Sequence, residues 1–484
     1  MNIDSNTIKA INDLNDPNIE YWDLRIQEIK EENHTSMNKI PNTSISEDYG
    51  IGIRILYKNK ENNKQGWGFA ATNILTEENI AKTCKKALET AIASSTIPDT
   101  TIDFEPSTET GEYYIRMEKD PFKMSLKEKQ DYVVKIDKML DSEETVNSNM
   151  FMTFKKMNTH FLNSAGSDLK QEIVYTGCAM SVTNSYNGEV MKRGYPNSFG
   201  NFRVGGFEII ESYDFESHTE RIVKEASEIL RSPECPQEKA TVVIGPQMMA
   251  LIVHEVCGHA TEYDRILGEE SAYAGISFLK TEDIGNFVYG SPIINMVSDP
   301  TYPGSAGSFG WDEDGTAANH QYLVKDGIIQ GFLTGRGNCK IAGLESAAAN
   351  RANSYKRMAI NRMTSVNFLP GEEFTKNEII SNIENGYYLD DFCGWSINSD
   401  RNGFRFSVEN MQKIENGVLT TKYKNGAFSA ETTPEFWKSC YAVASDKPFV
   451  AGYNNCAKGQ PVQVIMVGHV VPQATAFNNV KVGK

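Results

Sequence analysis

The stretch Val253-His254-Glu255-Val256-Cys257-Gly258-His259 holds the residues of this chain best able to do chemistry together. It reads H-E-x-x-x-H, one residue longer than the helical H-E-x-x-H in which two histidines hold zinc. Neutral imidazole is a good zinc ligand. A carboxylate directly after the first ligand can reach a water on the metal without binding the metal itself. Zinc moves the pKa of such a water toward neutrality, and Glu255 is the group placed to take its proton as general base.

The spacing poses a geometric problem. On a regular α-helix, positions i and i+5 lie about 140° apart, so the two imidazoles would not share a face. A π-type turn has i to i+5 periodicity and often marks functional sites. The sequence therefore predicts that the helix is wound loosely or ends at Gly258, where a glycine lets the backbone leave helical geometry. A catalytic zinc takes three protein ligands and keeps one position open. The local motif supplies two. Glu262, Asp264, Cys257, Cys440, Cys456 and His469 are all candidates for the third, and spacing does not choose among them. Glu262 and Asp264 are also candidates to orient the imidazoles. Cys257 is expected to pack in the core, and His320 and His469 to be satisfied or exposed rather than ligating. The acidic loop Asp312-Glu313-Asp314 precedes a glycine and reads as an N–H-bonded turn more than a cation site.

These residues need elements to carry them. In the first half, Tyr21 to Ile29, Gly50 to Leu56 and Gly66 to Ala70 read as strands. A helix follows Thr76, with Ile80, Cys84, Ala87, Leu88, Ala91 and Ile92 on one face. Residues from Pro98 to Pro121 read as a long connection. Ser125 and Glu128 form a capping box for the next helix. A meander of short strands spans Val146 to Ser185, with a turn at Asn163–Gly166, and Glu220–Arg231 is an amphipathic helix. Ser232-Pro233-Glu234-Cys235-Pro236 breaks the chain. The remainder opens with the strand Ala240–Ile244, then a helix entering the motif, then many short β runs. The expectation is an α+β fold of two domains. Residues 1–235 form a sheet with packed helices, and residues 236–484 are mostly β and carry the metal-binding helix.

Composition narrows the partners. With 484 residues, Lys+Arg 48 and Asp+Glu 64, the chain carries a formal charge of −16. That disfavours a general phosphate-backbone binder, so no nucleic-acid partner is expected. No apolar run reaches the roughly 18 residues of a membrane helix, so no membrane partner is expected either. The segment MNIDSNTIKAINDLND lacks a basic region followed by an apolar one, and a cytoplasmic location is expected. The eight cysteines are scattered without a C-x-x-C pair, so a disulfide framework is not expected.

The segment His254-Glu255-Val256-Cys257-Gly258-His259-Ala260-Thr261-Glu262-Tyr263-Asp264 resembles the metal-binding segment of the TldD/PmbA family of zinc metallopeptidases. Further stretches agree in order. They are Gly50–Leu56 with Gly66–Ala71, Trp311–Thr316, Asn350–Ser354 with Arg362-Met363-Thr364, Pro370-Gly371, Ile414–Gly417 and Cys456–Gln460. The resemblance covers nearly the whole chain and is to the ligand-bearing TldD type. It implies that His254, His259 and Cys456 bind Zn2+ and that Glu255 is the catalytic base. It further implies a narrow cleft taking an unfolded or flexible peptide as an added β-strand. The partner it implies is a second copy in a homodimer, or a PmbA-type subunit in a heterodimer. The chain departs from the family pattern at Asp391–Ser396, Thr433–Ser445 and Leu279–Gly307, which bears on substrate preference and partner surface. Two other readings stand beside this one: a non-catalytic peptide-binding or regulatory subunit, and a zinc hydrolase of other amides or esters. The glutamate beside the first histidine favours catalysis, because a structural zinc needs no such group.

Overall fold

Leu24, Ile26, Ile51, Ile53 and Ile55 are buried, as their alternation predicts, and anchor the first two strands. A computed structural model describes residues 3–97, 102–273 and 275–483. In it the two strands run well past the alternation. Ile19–Met37 and Ile40–Asn59 pair antiparallel nearly from end to end. The sequence hides this extension because its inward face is polar. Glu32, His34 and Ser36 are buried there. They are satisfied by the helix Leu126–Met139, where Lys129 pairs with Glu32 and Asp137 accepts a 2.6 Å bond from Ser36 Oγ.

These strands belong to an eight-stranded sheet. Lys64–Thr72 lies outside Ile40–Asn59, and Thr145–Asn163 then Asp168–Tyr186 lie on the other side of Ile19–Met37. The expected meander of short strands is thus two long ones, joined at the predicted turn. Residues 98–101 of the expected connection lie outside the described residues. The rest of it contains Thr110–Tyr114, which pairs parallel with Asp168–Tyr186. The helices Glu77–Ser94 and Leu126–Met139 begin at Thr76 and Ser125, and Ser125 and Glu128 form the reciprocal cap. The third amphipathic helix starts at Phe215 rather than Glu220. Asp214 before it makes no side-chain cap and sits at φ 45°, so the sequence carried no start signal.

In the second half, Glu238–Ile244 lies between Asn385–Ile397 and Thr475–Val482. That sheet continues through Gly426–Ala430 to Phe404–Glu415, which pairs back with Asn385–Ile397. The sheet therefore closes on itself. One apolar core runs from Val242 to Val482 and encloses the helix Pro246–Ile252 that leads into the motif. The first half is held by separate clusters, one around Ile53 and one around Phe154. The α+β arrangement, with a β-rich second half carrying the motif, is as the sequence implies.

A buried charge cluster joins the halves. The Arg193 guanidinium meets Glu225 and Asp391 at 2.9 Å each and Glu409 at 3.3 Å. Burial, with the nearby charges of Asp390 and Glu409, outweighs Arg193 and pushes the Asp391 carboxyl up to about 7. Two outcomes follow. Arg193→Met leaves three buried carboxyl groups without their cation and should cost about 3–5 kcal/mol in chemical denaturation. The folded chain also holds a proton on Asp391 that the unfolded chain has released above about pH 4. Stability should therefore fall as pH rises from about 4 to about 7, and Asp391→Asn should flatten that limb of the denaturation series.

Candidate metal centre

The helix Pro246–Ile252 starts on a proline, whose missing N–H costs nothing at that position. Asp390 Oδ1, from the neighbouring strand, accepts the Met248 N–H at 3.1 Å and fixes the helix start. At Val253 the winding changes. Val253–Gly258 is a π-turn, and the His259 N–H donates to the His254 carbonyl. That i to i+5 bond sets the two histidines one turn apart on the same side. Their ring centroids are 4.9 Å apart and the rings are nearly perpendicular at 89°.

Loose winding is thus confirmed, but Gly258 serves it differently than expected. Its φ of −55° and ψ of −60° are open to any residue. What it lacks is room: a Cβ there would stand 2.1 Å from Met363 Sδ. The glycine lets the turn pack against Met363 rather than letting the backbone bend.

Cys456 arrives from the strand Phe449–Lys458, paired with Gln463–Val471. The register slips between Tyr453 and Cys456, and such a bulge re-aims a side chain. Ligand atoms of His254, His259 and Cys456 all lie within 4.8 Å of one another, and all three residues are buried. Cys456 Sγ is 3.9 Å from His259 Nε2. The other third-ligand candidates are sorted by the same geometry. Cys257 is packed in the core. Cys440 pairs opposite Phe477 in the closed sheet. Glu262, Asp264 and His469 are close by but stand outside the donor group.

Each imidazole is steered from behind. His259 Nδ1 lies 3.0 Å from Glu262 Oε2, so that nitrogen carries the proton and Nε2 is left bare. His469 Nδ1 lies 2.8 Å from the Val366 carbonyl and can only donate to it. Burial beside His254 holds His469 well below the ordinary imidazole range, so it is neutral and its Nε2 accepts. The His254 Nδ1 2.9 Å away must then donate, which bares His254 Nε2 too. Both rings present unprotonated Nε2 atoms, the form a metal takes. Burial lowers both histidines. Burial opposes ionisation of the Cys456 thiol, but Arg362 and His259 outweigh it and bring the thiol below its usual range. The donor set therefore fits a soft divalent ion.

Glu262 is itself buried, yet Lys458, His259 and Arg265 hold its carboxyl well below the usual range. Lys458 Nζ meets Glu262 at 3.2 Å and Asp264 at 2.6 Å. Glu262 thus orients an imidazole as expected, whereas Asp264 holds Lys458 instead. His469 is satisfied rather than ligating, as expected; it is buried and its Nε2 meets His254 Nδ1 at 2.9 Å. The Asp312 loop is the N–H-bonded turn expected: Asp312 Oδ1 accepts from Asp314 and Thr316 at 3.0 and 2.9 Å. Asp314 pairs with Arg54.

Glu255 faces a cavity of about 470 Å3 together with His254, His259 and Cys456. Its Oε2 accepts from Arg401 Nη1 at 2.8 Å. Arg401 sits at φ 65° in the turn between Asn385–Ile397 and Phe404–Glu415. A larger cavity of about 610 Å3 touches Arg54, Phe104 and Lys356. Among the described residues it holds no comparable donor set, so chemistry rather than size picks the site. Sequence reasoning missed Arg401, Arg362 and Lys458 as parts of the site. Arg362 and Lys458 fall in stretches that carry the family resemblance, but only the fold brings them to the donor group.

The chain matches PmbA/TldA metallopeptidase domain 1 over residues 22–91, the central domain over 119–232 and the C-terminal domain over 237–483. It therefore belongs to the PmbA/TldD family, and its class is that of metallopeptidases, hydrolases of peptide bonds. A metalloprotease of Methanocaldococcus jannaschii is 27% identical over 450 residues, 92% of this chain and 94% of that one. A zinc metalloprotease TldD homolog of Saccharolobus solfataricus is 25% identical over 226 residues, 46% of this chain and 47% of its own. The crystal structure of TldE from Thermococcus kodakarensis shares the fold, with a TM-score of 0.71 at 18% identity, covering 99% of this chain and 100% of that one.

The packing of Gly258 is directly testable. Gly258→Ala should destabilise the protein by about 1–3 kcal/mol through overpacking. In a double-mutant cycle with Met363→Ala, thermal unfolding should show a coupling that recovers part of that loss.

Proposed function

We propose that the protein is a zinc-dependent peptidase of unfolded or flexible peptides, with His254, His259 and Cys456 as zinc ligands and Glu255 as general base. The observation that carries this reading is the convergence of two bared imidazole nitrogens and a lowered thiol beside a glutamate in one cavity. The named zinc metalloprotease among its relatives supports the choice of metal. When bound, zinc supplies a Lewis acid that polarises the scissile carbonyl and acidifies a water. Glu255 takes the water's proton and returns it to the leaving amine. Arg401 holds that carboxylate in place, and Glu262 and His469 keep the imidazoles from turning. The burial of all three ligands keeps bulk water from competing.

The substrate enters as an extended strand in a narrow cleft. The strand Asn385–Ile397 supports this, since the register pairs its second edge with Glu238–Ile244 only at Tyr387–Leu389. Phe392, Trp395, Ser396 and Ile397 of the stretch beyond line the cavity, where an added peptide strand would lie. Among the described residues no helix is long and apolar enough to cross a membrane. We place the protein in the cytoplasm, divide the chain at residue 235, and assign it a dimeric state, either with itself or with a PmbA-type subunit.

Three measurements test this. Purified protein should carry about one zinc per chain, and Cys456→Ser should lose most of it, by elemental analysis. Glu255→Gln should retain the metal yet lose hydrolysis of an unfolded protein by about 10²–10⁴-fold; unchanged turnover would sink the assignment. Light scattering should give twice the chain mass, whereas a stable monomer would contradict the dimer.

A further inference from the structure

Aromatic rings line the cavity beside the ligand candidates. Tyr453 lies against His254 with ring centroids 5.4 Å apart. Phe392 meets Tyr453 edge-on at 5.8 Å and is itself almost fully buried. Phe199 stacks on Phe392 at 5.0 Å and 14°, and Trp395 meets Phe392 edge-on at 5.8 Å. A continuous run of ring contacts thus leads from a metal-ligand candidate to the cavity mouth.

The outer two rings are the informative ones. Phe199 is 41% exposed and Trp395 39%, although both line the cavity. Large aromatic side chains gain much from burial, roughly 25 cal/mol for each Å2 covered. Here two of them flank a void and face each other at 5.8 Å and 69°. The wall is also held rigidly. Asp391, at φ 56°, turns the strand just before Phe392, and its carboxylate is tied to Arg193 at 2.9 Å. The register slips again between Phe392 and Gly394, which re-aims Trp395. The same cavity is also lined by Glu255, Arg401, Asn454 and Asn455. It therefore offers both polar groups for a peptide main chain and aromatic surface for an apolar group. A volume of about 470 Å3 lies within the range of pockets that take small ligands.

We propose that this aromatic slot receives a bulky apolar side chain of the peptide residue next to the scissile bond, and that Trp395 sets the preference. The proposal rests on the peptidase reading for its substrate but makes a separate claim. The preferred substrate is an unfolded peptide with Phe, Tyr, Trp, Leu or Met at the cut, and peptides presenting only small or acidic residues there are poor substrates. An apolar pocket discriminates by about 10–200-fold for each methylene group gained or lost.

The test uses two flexible peptides, identical except for one Phe or Ala at the cleaved position. The zinc-loaded native protein should show a Phe to Ala ratio in kcat/KM above about tenfold. In Trp395→Ala that ratio should fall toward one, and Trp395→Phe should restore most of it. Equal rates for the two peptides in the native protein would overturn the proposal, and so would a ratio unchanged by Trp395→Ala. The same pair is then titrated against Glu255→Gln by calorimetry, which needs no turnover. If no peptide is hydrolysed, the peptidase reading fails by itself. The slot still stands if Glu255→Gln binds the Phe peptide about tenfold more tightly, provided Trp395→Ala in that background removes the difference. Equal binding overturns it. Light scattering of Trp395→Ala covers the remaining occupant. A shift from dimer to monomer with selectivity intact would assign the ring to contact between copies and overturn the proposal.

Discussion

The hydrogen bond from the His259 N–H to the His254 carbonyl is the constraint on which this site depends. The donor lies five positions after the acceptor, and only π winding accommodates that spacing. An ordinary α-helical turn here would send the two rings to different faces and leave Cys456 with one partner. Everything near the turn is arranged to keep it. Asp390 fixes where the helix begins, Gly258 removes the atom that would strike Met363, and the closed sheet holds the helix along its length. Irregular winding is intrinsically the weaker form, so its persistence is a property of the packing around it and not of the six residues themselves.

A second layer of order is electrostatic. The site gathers Glu262, Asp264, Arg265, Arg362 and Lys458 in positions almost closed to water. Isolated, any of these charges would be very costly. Together they form alternating pairs, with Lys458 between two carboxylates and Glu262 between Lys458, Arg265 and His259. Such a lattice has little freedom to relax, which is what a ligand set needs from its surroundings. The same logic recurs at Arg193, where it joins the halves of the molecule rather than orienting a ring.

The sequence was most readable where one residue type has one job. Apolar alternation located the strands around Leu24 and Ile53, and Ser125 with Glu128 located a helix start. The unusual spacing of His254 and His259 by itself required distorted winding. Legibility failed where burial is polar. Glu32, His34 and Ser36 look like a surface strand, yet they line the inside of one because Lys129 and Asp137 meet them from a distant helix. It failed again for contacts between remote segments. Nothing near Arg401 points to Glu255, 146 residues away, and the role of His469 depends on the Val366 carbonyl. Gly258 was singled out for the right turn and the wrong reason, because a neighbour such as Met363 is invisible in one dimension.

The position of Cys456 has a consequence for the order of events during synthesis. The two histidines leave the ribosome roughly midway through the chain, whereas the cysteine follows 197 residues after His259. The strand Thr475–Val482, which sits between Glu238–Ile244 and Gly426–Ala430, comes later still. A nascent chain therefore carries the motif for much of its elongation without the means to assemble the centre. The cluster of His254, His259 and Cys456 and the completed fold therefore arrive together, near the end of synthesis.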